Sequence, residues 1–517
     1  MHPALSILEI REGICSCFSP ATSREDRRTL WAIALTTSAL SDPALDTLWS
    51  EQTSLEPLIM CFPRDLFTIR PGLSKKREIR VTVARPIVES DWTRPLIYTR
   101  RVRSVRFERT TGVNMDILFT FALSMPTNAL FPRLQRFSFV NPDFASFQHI
   151  RPLFLTASLP QLTTLGLDLR DTDLGGPAAL SLLSSLSTRR FPALSQVRMQ
   201  TAWTESEPID ALGARAVSDF VCSLPEALRA LSVTCLDRPA LAYICGLPLL
   251  STLEMLTLGG ADGSGEALPL PVGPGFAGMR KLVLKSTKTE PFINLVSSIY
   301  GAPLEILDVT FAEALTASTL NQFAGILARN GAHWALRSIN LQMKGAVEAQ
   351  PFGPFSPQLS AHPNETLVVD NVRPLFACRH LTDLAIRVDH PIALSDEDVE
   401  ELTLAFPNLH TLSLTSSVRP SCGPTLQLLC ALARNCRHLR VAEIHVLVDT
   451  EDIPPSLAGY TGLNLTEFPQ QRALKELRTF FAAVPRALQE DTVMTPRDRF
   501  QRLSRILFPK LTALRFL

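Results

Sequence analysis

Apolar residues recur along this chain in short runs in which they alternate with polar ones. In the segment 162–169, Leu165, Leu167 and Leu169 alternate with Gly166 and Asp168. A period of two places every second side chain on the same face of an extended strand. The pattern therefore predicts a β-strand with one buried face, and similar runs follow through most of the chain.

The run has a recurring form, L-x-x-L-x-L, which often follows Phe-Pro or Leu-Pro. The first apolar positions of its copies are residues 102, 134, 162, 194, 228, 253, 279, 304, 336, 381, 409, 439 and 511. Ten of the twelve intervals between them are 25 to 34 residues long. This period resembles that of leucine-rich repeats, in which each unit buries its apolar face only against its neighbours.

Between the copies, the apolar period changes to that of a helix. One apolar stripe has the helical spacing i, i+3, i+4 and i+7: Leu426, Leu429, Cys430 and Ala433. In the segment 394–406, Ser395 and Asp398 form a capping-box pair before a second helix. Alternating strands and helices predict an α/β fold, a leucine-rich-repeat-like solenoid or horseshoe with a parallel sheet on its concave face.

The regions outside the repeat set the expected domain boundaries. The solenoid is assigned to 99–517, after a helical segment at 1–60 and a basic connector at 61–98. Three stretches, near 259–275, 345–365 and 447–500, interrupt the repeat and are predicted to be insertions. The last insertion is expected to contain an additional helix near 470–490.

Charge argues against nucleic acid and membrane as partners. The formal net charge is +1 at pH 7, so the whole chain exerts little attraction on polyanions. Between Arg64 and Arg109, however, the chain has thirteen Lys and Arg residues and only five Asp and Glu residues. This excess fits either a solvated face or a docking patch for an acidic or phosphorylated partner. The uncharged stretches are interrupted by proline and are too short for good membrane spans.

The cysteines and motifs do not indicate an enzyme. The ten cysteines lack framework or paired C-x-x-C spacing, and the first residues lack a signal-peptide pattern. A reducing compartment, cytoplasmic or nuclear, fits best. No zinc-protease, P-loop or serine-hydrolase motif occurs, so no catalytic residue, metal or cofactor is expected.

The helical segment 1–60 carries a family resemblance. Residues 7–12 resemble the opening P-E-I-L-x-x-I helix of fungal, basidiomycete-type F-box proteins, and residues 30–40 resemble the second helix of that family. Residues 41–49, SDPALDTLW, closely resemble its closing phrase. The alternative interpretation of this segment is a helical cap on the end of the solenoid.

The resemblance implies an adaptor role in an SCF-type ubiquitin ligase. The F-box would bind a Skp-type subunit of the cullin complex, and the repeats would bind the client protein marked for ubiquitin-dependent degradation. Apolar side chains would fill a groove on the Skp subunit. The candidate adaptor-binding residues are Pro3, Leu5, Ile7, Leu8, Ile10, Ile14, Leu30 and Leu35.

Client contacts are expected at the residues between the inward-facing leucines, which point to the concave side. The candidates form a strip of mixed charge: Asp168, Arg198, Lys281, Lys285, Asp308, Asn340, Arg387 and Glu443. An alternative function is a leucine-rich-repeat scaffold for protein–protein interaction without an F-box. A GTPase-activating repeat protein would need a catalytic arginine on a loop, and no arginine is singled out for that role.

Overall fold

The computed structural model divides the chain into two compact units, which are described separately. The first comprises 1–250 and 260–264, and the second comprises 251–259 and 265–517. The described residues are 7–20, 22–71, 79–108, 116–127, 129–140, 159–169, 177–201, 211–256, 275–330, 335–343, 366–416, 423–424, 427–446, 473–481, 501, 504–505 and 508–516. Candidates Pro3 and Leu5 lie outside these residues, as do most of the three predicted insertions.

The first unit begins with three helices and continues as alternating strands and helices. Its first three helices are α1 (Leu8–Ser16), α2 (Arg24–Thr36) and α3 (Ser38–Ser50). Its further α-helices are Glu56–Ile59, Thr93–Thr99, Asp116–Ser124, Pro177–Ser187, Ala211–Cys222 and Arg238–Cys245, with a 3-10 helix at Glu89–Trp92. Its strands are β1 (Glu51–Gln52), β2 (Phe67–Pro71), β3 (Ile79–Val83), β4 (Ser104–Glu108), β5 (Arg136–Val140), β6 (Thr164–Leu169), β7 (Gln196–Thr201) and β8 (Ala230–Val233).

The strands of the first unit form a parallel sheet and a separate hairpin. Among the described residues the parallel order is β1-β4-β5-β6-β7-β8, while β2 and β3 pair in antiparallel fashion. Strand β1 follows α3 directly, and Glu51 lies in register with Ser104 of β4. The sheet therefore begins immediately after the third helix.

The second unit repeats the arrangement of strand, turn and helix. Its strands are β9 (Thr252–Met255), β10 (Lys281–Thr287), β11 (Ile306–Phe311), β12 (Ser338–Met343), β13 (Asp383–Val388), β14 (Thr411–Ser416), β15 (Val441–Val446), β16 (Glu476–Phe481) and β17 (Ala513–Phe516). Its described α-helices are Thr289–Ser298, Ala317–Arg329, Val369–Val372, Asp396–Ala405 and Gln427–Asn435, with a 3-10 helix at Arg373–Ala377. The strands are parallel and stack in chain order.

Inward leucines align from strand to strand because the parallel register is nearly constant. Leu307, Ile339, Leu384 and Leu412 lie in register on β11 to β14, and each is at most 1% exposed. Burying one such side chain contributes about 1.5–3 kcal/mol, and no single repeat could enclose it alone. The predicted α/β class and stacked repeats are confirmed within each unit.

Two local predictions need correction. The helix expected near 470–490 is replaced at Glu476–Phe481 by β16, which lies between β15 and β17. In the helix Gln427–Asn435 the buried residues are Leu428, Leu429, Ala431, Leu432 and Ala433. The predicted stripe is thus right at Leu429 and Ala433, whereas Cys430 is only half-buried. The overlapping apolar stripe beginning at Leu428 packs inward, since it contains two leucines one turn apart.

Candidate functional site

The three amino-terminal helices share a small apolar core. Cys15 of α1, Leu30 of α2 and Ala44 of α3 are fully buried, and Ala34 is nearly so. Phe18, Ile33, Leu45 and Leu48 pack around them. Leu30 is therefore removed from the candidate adaptor contacts, because its side chain holds the segment together.

Local capping explains where these helices begin and end. Ser23 Oγ accepts a 3.1 Å hydrogen bond from Asp26 N at the start of α2. Thr37 has extended backbone, ends α2 and accepts a 3.3 Å bond from Leu40 N through its hydroxyl. Such caps satisfy amide groups that a helix leaves unpaired in its first turn.

Large apolar side chains remain exposed on α1 and α2. The candidates Ile7, Leu8, Ile10 and Ile14 are 38% to 48% exposed, and Leu35 is 69% exposed. Trp31, one turn before Leu35 on α2, is 53% exposed and was missed in the sequence analysis. The i, i+4 spacing of Trp31 and Leu35 was the available signal. Apolar surface of this extent on a small helical segment is typical of a protein contact.

The helical segment is anchored to the rest of the first unit by charged and aromatic contacts. The Arg101 guanidinium donates to the carboxylate of Asp42 at 2.7 Å and also to that of Asp46, both on α3. Trp49 stacks on Tyr98 with ring centroids 4.6 Å apart. The backbone N–H of Arg103 donates to Ser50 O at 2.9 Å. The three helices therefore present their exposed side chains from a fixed base.

Part of the basic connector is neutralised internally. The Arg85 guanidinium binds both carboxylate oxygens of Asp91 at 2.7 and 2.9 Å, and it also donates to Asp65 at 2.7 Å. The hydrogen bonds from Arg85 lower the pKa of Asp91 to about 2, and the N–H of Val88 contributes in the same direction. Arg85 thus serves this internal network, which reduces the case for a docking patch in the connector.

In the second unit, one side of the sheet carries the side chains that lie between the buried positions. We call this side the polar face. One row of its positions is in register from β9 to β15: Glu254, Val283, Asp308, Asn340, Ala385, Ser413 and Glu443. The row contains three of the candidate client contacts. Lys281 and Lys285 lie two residues before and after Val283, and Arg387 lies two residues after Ala385.

Cross-strand hydrogen bonds order this face. Asn340 Nδ2 donates to Asp308 Oδ1 at 2.8 Å. Gln342 Nε2 donates to the hydroxyl of Thr310 at 2.9 Å. Polar groups already held in one conformation lose less entropy when a partner binds. The arrangement therefore favours recognition by shape and hydrogen bonding.

The most buried charged group on the described part of this face is the carboxylate of Glu443. The residue is only 9% exposed, and its Oε2 accepts a 2.6 Å hydrogen bond from the hydroxyl of Ser413. Arg387 reaches across the intervening strand, with Nη2 3.2 Å from the same oxygen. Ser413 was not among the predicted client contacts, although its register position is equivalent to those of Asn340 and Glu443. Arg387, Ser413 and Glu443 form one polar cluster on three adjacent strands, β13, β14 and β15.

The remaining candidates differ in accessibility. Arg198 of β7 is exposed, with Gly166 and Ser232 in register on the strands beside it. Asp168 of β6 is only 8% exposed and lies in register with Gln200.

In the second unit, Lys281 and Lys285 are exposed, and Lys285 Nζ lies 3.4 Å from Glu254 Oε1. Accessible positive charge thus occurs on strand β7 of the first unit and on the polar face of the second unit.

The cysteines have structural surroundings. Cys378 and Cys436 of the two Cys-Arg-His phrases are fully buried, and burial raises the pKa of each thiol to about 12.

Within the described residues, no group of three or more His, Cys, Asp or Glu side chains is arranged to hold a metal ion. A search of the same residues found no helix with both the length and the apolarity needed to cross a bilayer.

Comparison with protein-family models found no match, and comparison with curated proteins found none of significance.

Proposed function

We propose that this chain is a substrate-recognition adaptor of an SCF-type ubiquitin ligase. In this proposal the amino-terminal helices bind a Skp-type subunit, and the polar face of the repeats binds a client protein. The chain itself performs no chemistry. Its role is to hold the client near the ubiquitin-transferring partners of the complex.

The observation that carries the proposal is the exposed apolar surface on α1 and α2. Ile10 and Leu35 are 38% and 69% exposed although the segment has an apolar core of its own. Partner helices bind by placing such side chains in an apolar groove. The resemblance of residues 41–49 to the closing phrase of the F-box supports a Skp-type subunit as that partner.

The attachment of the helices to the sheet also supports an adaptor. Arg101 holds α3 by two carboxylates, and Trp49 stacks on Tyr98. A rigid connection transmits the orientation of one bound protein to the repeats that follow. An adaptor requires this, because ubiquitin transfer depends on the position of the client.

The test is capture of a purified Skp subunit by the full chain. The double variant Ile10→Asp, Leu35→Asp should reduce capture by at least about tenfold, because charges in an apolar contact are strongly unfavourable. Its matched control is Gly13→Asp, Thr29→Asp, which adds the same charge to the same two helices at exposed positions. Apart from the adjoining residues and the backbone of its own helix, a Cβ at Gly13 would have no atom within 4 Å, so there is space for this change.

Capture by the wild type and the control, with loss in the double variant, is the expected result. Absence of capture by the wild type would remove the ligase proposal and leave the scaffold alternative. Equal loss in the control would show that the apolar side chains do not make the contact.

A further inference from the structure

In the second unit, the turns before the strands place positive charge along one edge of the sheet. Because β12 to β17 are parallel, the turns that precede them all lie at the same edge. The described residues of these turns are 335–337, 377–382, 406–410, 436–440, 473–475 and 508–512. They contain no Asp or Glu. Six exposed Lys and Arg form what we call the basic edge: Arg337, Arg379, Arg437, Arg440, Lys475 and Lys510.

Backbone hydrogen bonds fix the spacing of this edge. The carbonyl of Arg440 accepts N–H bonds from Lys475 and Glu476, and the carbonyl of Lys475 accepts from Thr512 and Ala513. The carbonyl of Arg337 is used in the same way by Thr382 and Asp383. Each turn is thus tied to the next one, and the side chains project from a regular frame.

Three histidines also lie on this edge. His380 and His438 are exposed, and His410 packs edge-on against His438 with ring centroids 6.1 Å apart. The nearest carboxylates in sequence are Asp383 and Glu476, the first residues of β13 and β16, and both are half-buried. The edge as a whole therefore keeps a positive excess.

The preceding turns of the same unit show a different arrangement. Before β10 and β11, Arg280 forms an ion pair with Glu305. Positive charge there is compensated by a neighbouring carboxylate. Along the basic edge the turns bring like charges onto adjacent strands, as with Arg440 and Lys475. Such charges repel one another, so this arrangement is stabilised when an anionic partner binds.

We propose that the basic edge binds an acidic, extended segment of the client protein. With strands about 4.8 Å apart, the five steps from β12 to β17 span about 24 Å, which matches about seven extended residues at 3.4 Å each. Glutamate or aspartate side chains along such a segment would meet arginine and lysine at successive strands. This inference rests on the proposed function and adds to it the chemical character of the client segment.

The same turns provide few features for binding a nucleic acid. Proteins that hold single strands interleave cations with exposed aromatic rings on which bases stack. The phenylalanines of these turns, Phe406 and Phe508, are at most 1% exposed. The formal net charge of +1 also gives little long-range attraction to a polyanion. A polypeptide segment is therefore the favoured partner.

The test measures binding of a fluorescein-labelled octaglutamate peptide to the full chain by fluorescence anisotropy. The triple variant Arg440→Glu, Lys475→Glu, Lys510→Glu should weaken binding at least about tenfold. Binding by the wild type should also become weaker as NaCl is raised from about 50 to about 200 mM, because salt screens the charges. The matched control, Arg215→Glu, Lys288→Glu, Arg329→Glu, changes net charge equally at exposed positions outside the edge. It should bind within about twofold of the wild type.

A labelled octalysine peptide separates charge recognition from misfolding. It should bind the basic-edge triple variant more tightly than it binds the wild type or the control. The proposal is overturned if octaglutamate does not bind the wild type, if both triple variants lose binding equally, or if an oligothymidylate of the same charge binds more tightly. Skp capture, measured in parallel, depends on α1 and α2, so a failure of the basic edge is distinguishable from a failure of the proposed function.

Discussion

The hydroxyl of Ser413 donates a 2.6 Å hydrogen bond to the carboxylate of Glu443, the residue in register with it on the next strand. Both residues are at most 9% exposed, although they lie on the face of the sheet that carries polar side chains. A buried carboxylate needs such donors, since its charge has little access to water. The pair therefore joins β14 to β15 through side chains on the polar face, and it should contribute to the stability of both strands.

Removal of the Ser413 hydroxyl should destabilise the second unit. Ser413→Ala should lower the free energy of unfolding by about 1.5–3 kcal/mol, because the lost hydrogen bond is made to a charged acceptor in a buried place. Urea denaturation followed by circular dichroism measures the change. The control is Thr415→Ala, two residues along the same strand and half-buried, with an expected loss below about 1 kcal/mol. Equal losses would contradict the importance of the Ser413–Glu443 bond.

The Arg85–Asp91 pair should make stability depend on pH in the acid range. The folded pKa of Asp91 is about 2, below the value of about 3.9 in an unfolded chain. Its stabilising contribution is fully present above pH ~4 and is lost as pH falls through about 2. Unfolding of the wild type and of Asp91→Asn, measured from neutral pH downwards, should therefore differ most above pH ~4.

Asp65 provides the comparison for this pH effect. Its side chain is 66% exposed and meets the same guanidinium, so solvent screens the pair. Asp65→Asn should change stability less than Asp91→Asn at every pH. A difference between wild type and Asp91→Asn that stays constant down to pH ~2 would contradict the assigned pKa.

The buried cysteines should resist alkylation in the native protein. Burial raises the pKa of Cys378 and Cys436 to about 12, so neither forms an appreciable amount of thiolate at pH ~8. Iodoacetamide should label the exposed Cys17 in the folded chain and reach the other two only after unfolding in urea. Peptide mass spectrometry locates the label. Native labelling of Cys378 as fast as that of Cys17 would be inconsistent with its burial.

The strands could be predicted from sequence wherever the apolar positions of a repeat are complete. Leu412 and Leu414 lie on β14 as expected, because stacking against β13 requires the same face to be buried in each repeat. Strand β16 was missed because Thr479 occupies the position where most copies have a third apolar residue. Its pairing with β15 and β17 supplies order that the local sequence does not indicate.

The candidate site was less predictable because its contacts join distant parts of the chain. Ser413 is 30 residues from Glu443, and Arg387 is 56 residues from it. Their meeting depends on the register of three strands, which the lengths of the intervening helices and turns decide. Alternation within one strand gives the face of a side chain, but it does not give the partner on another strand.

Leu30 and Leu35 illustrate the same limit on α2 and lead to the last prediction. Both are leucines of one helix, yet Leu30 is fully buried and Leu35 is 69% exposed. Leu30→Ala should cost about 2–5 kcal/mol, because it opens a cavity among Cys15, Ala34 and Ala44. Leu35→Ala should change the free energy of unfolding by less than about 0.5 kcal/mol, as expected of an exposed position. Thermal unfolding of both variants measures this contrast, and a Leu35→Ala loss as large as that of Leu30→Ala would mean that Leu35 is packed within the fold and is not free to contact a partner.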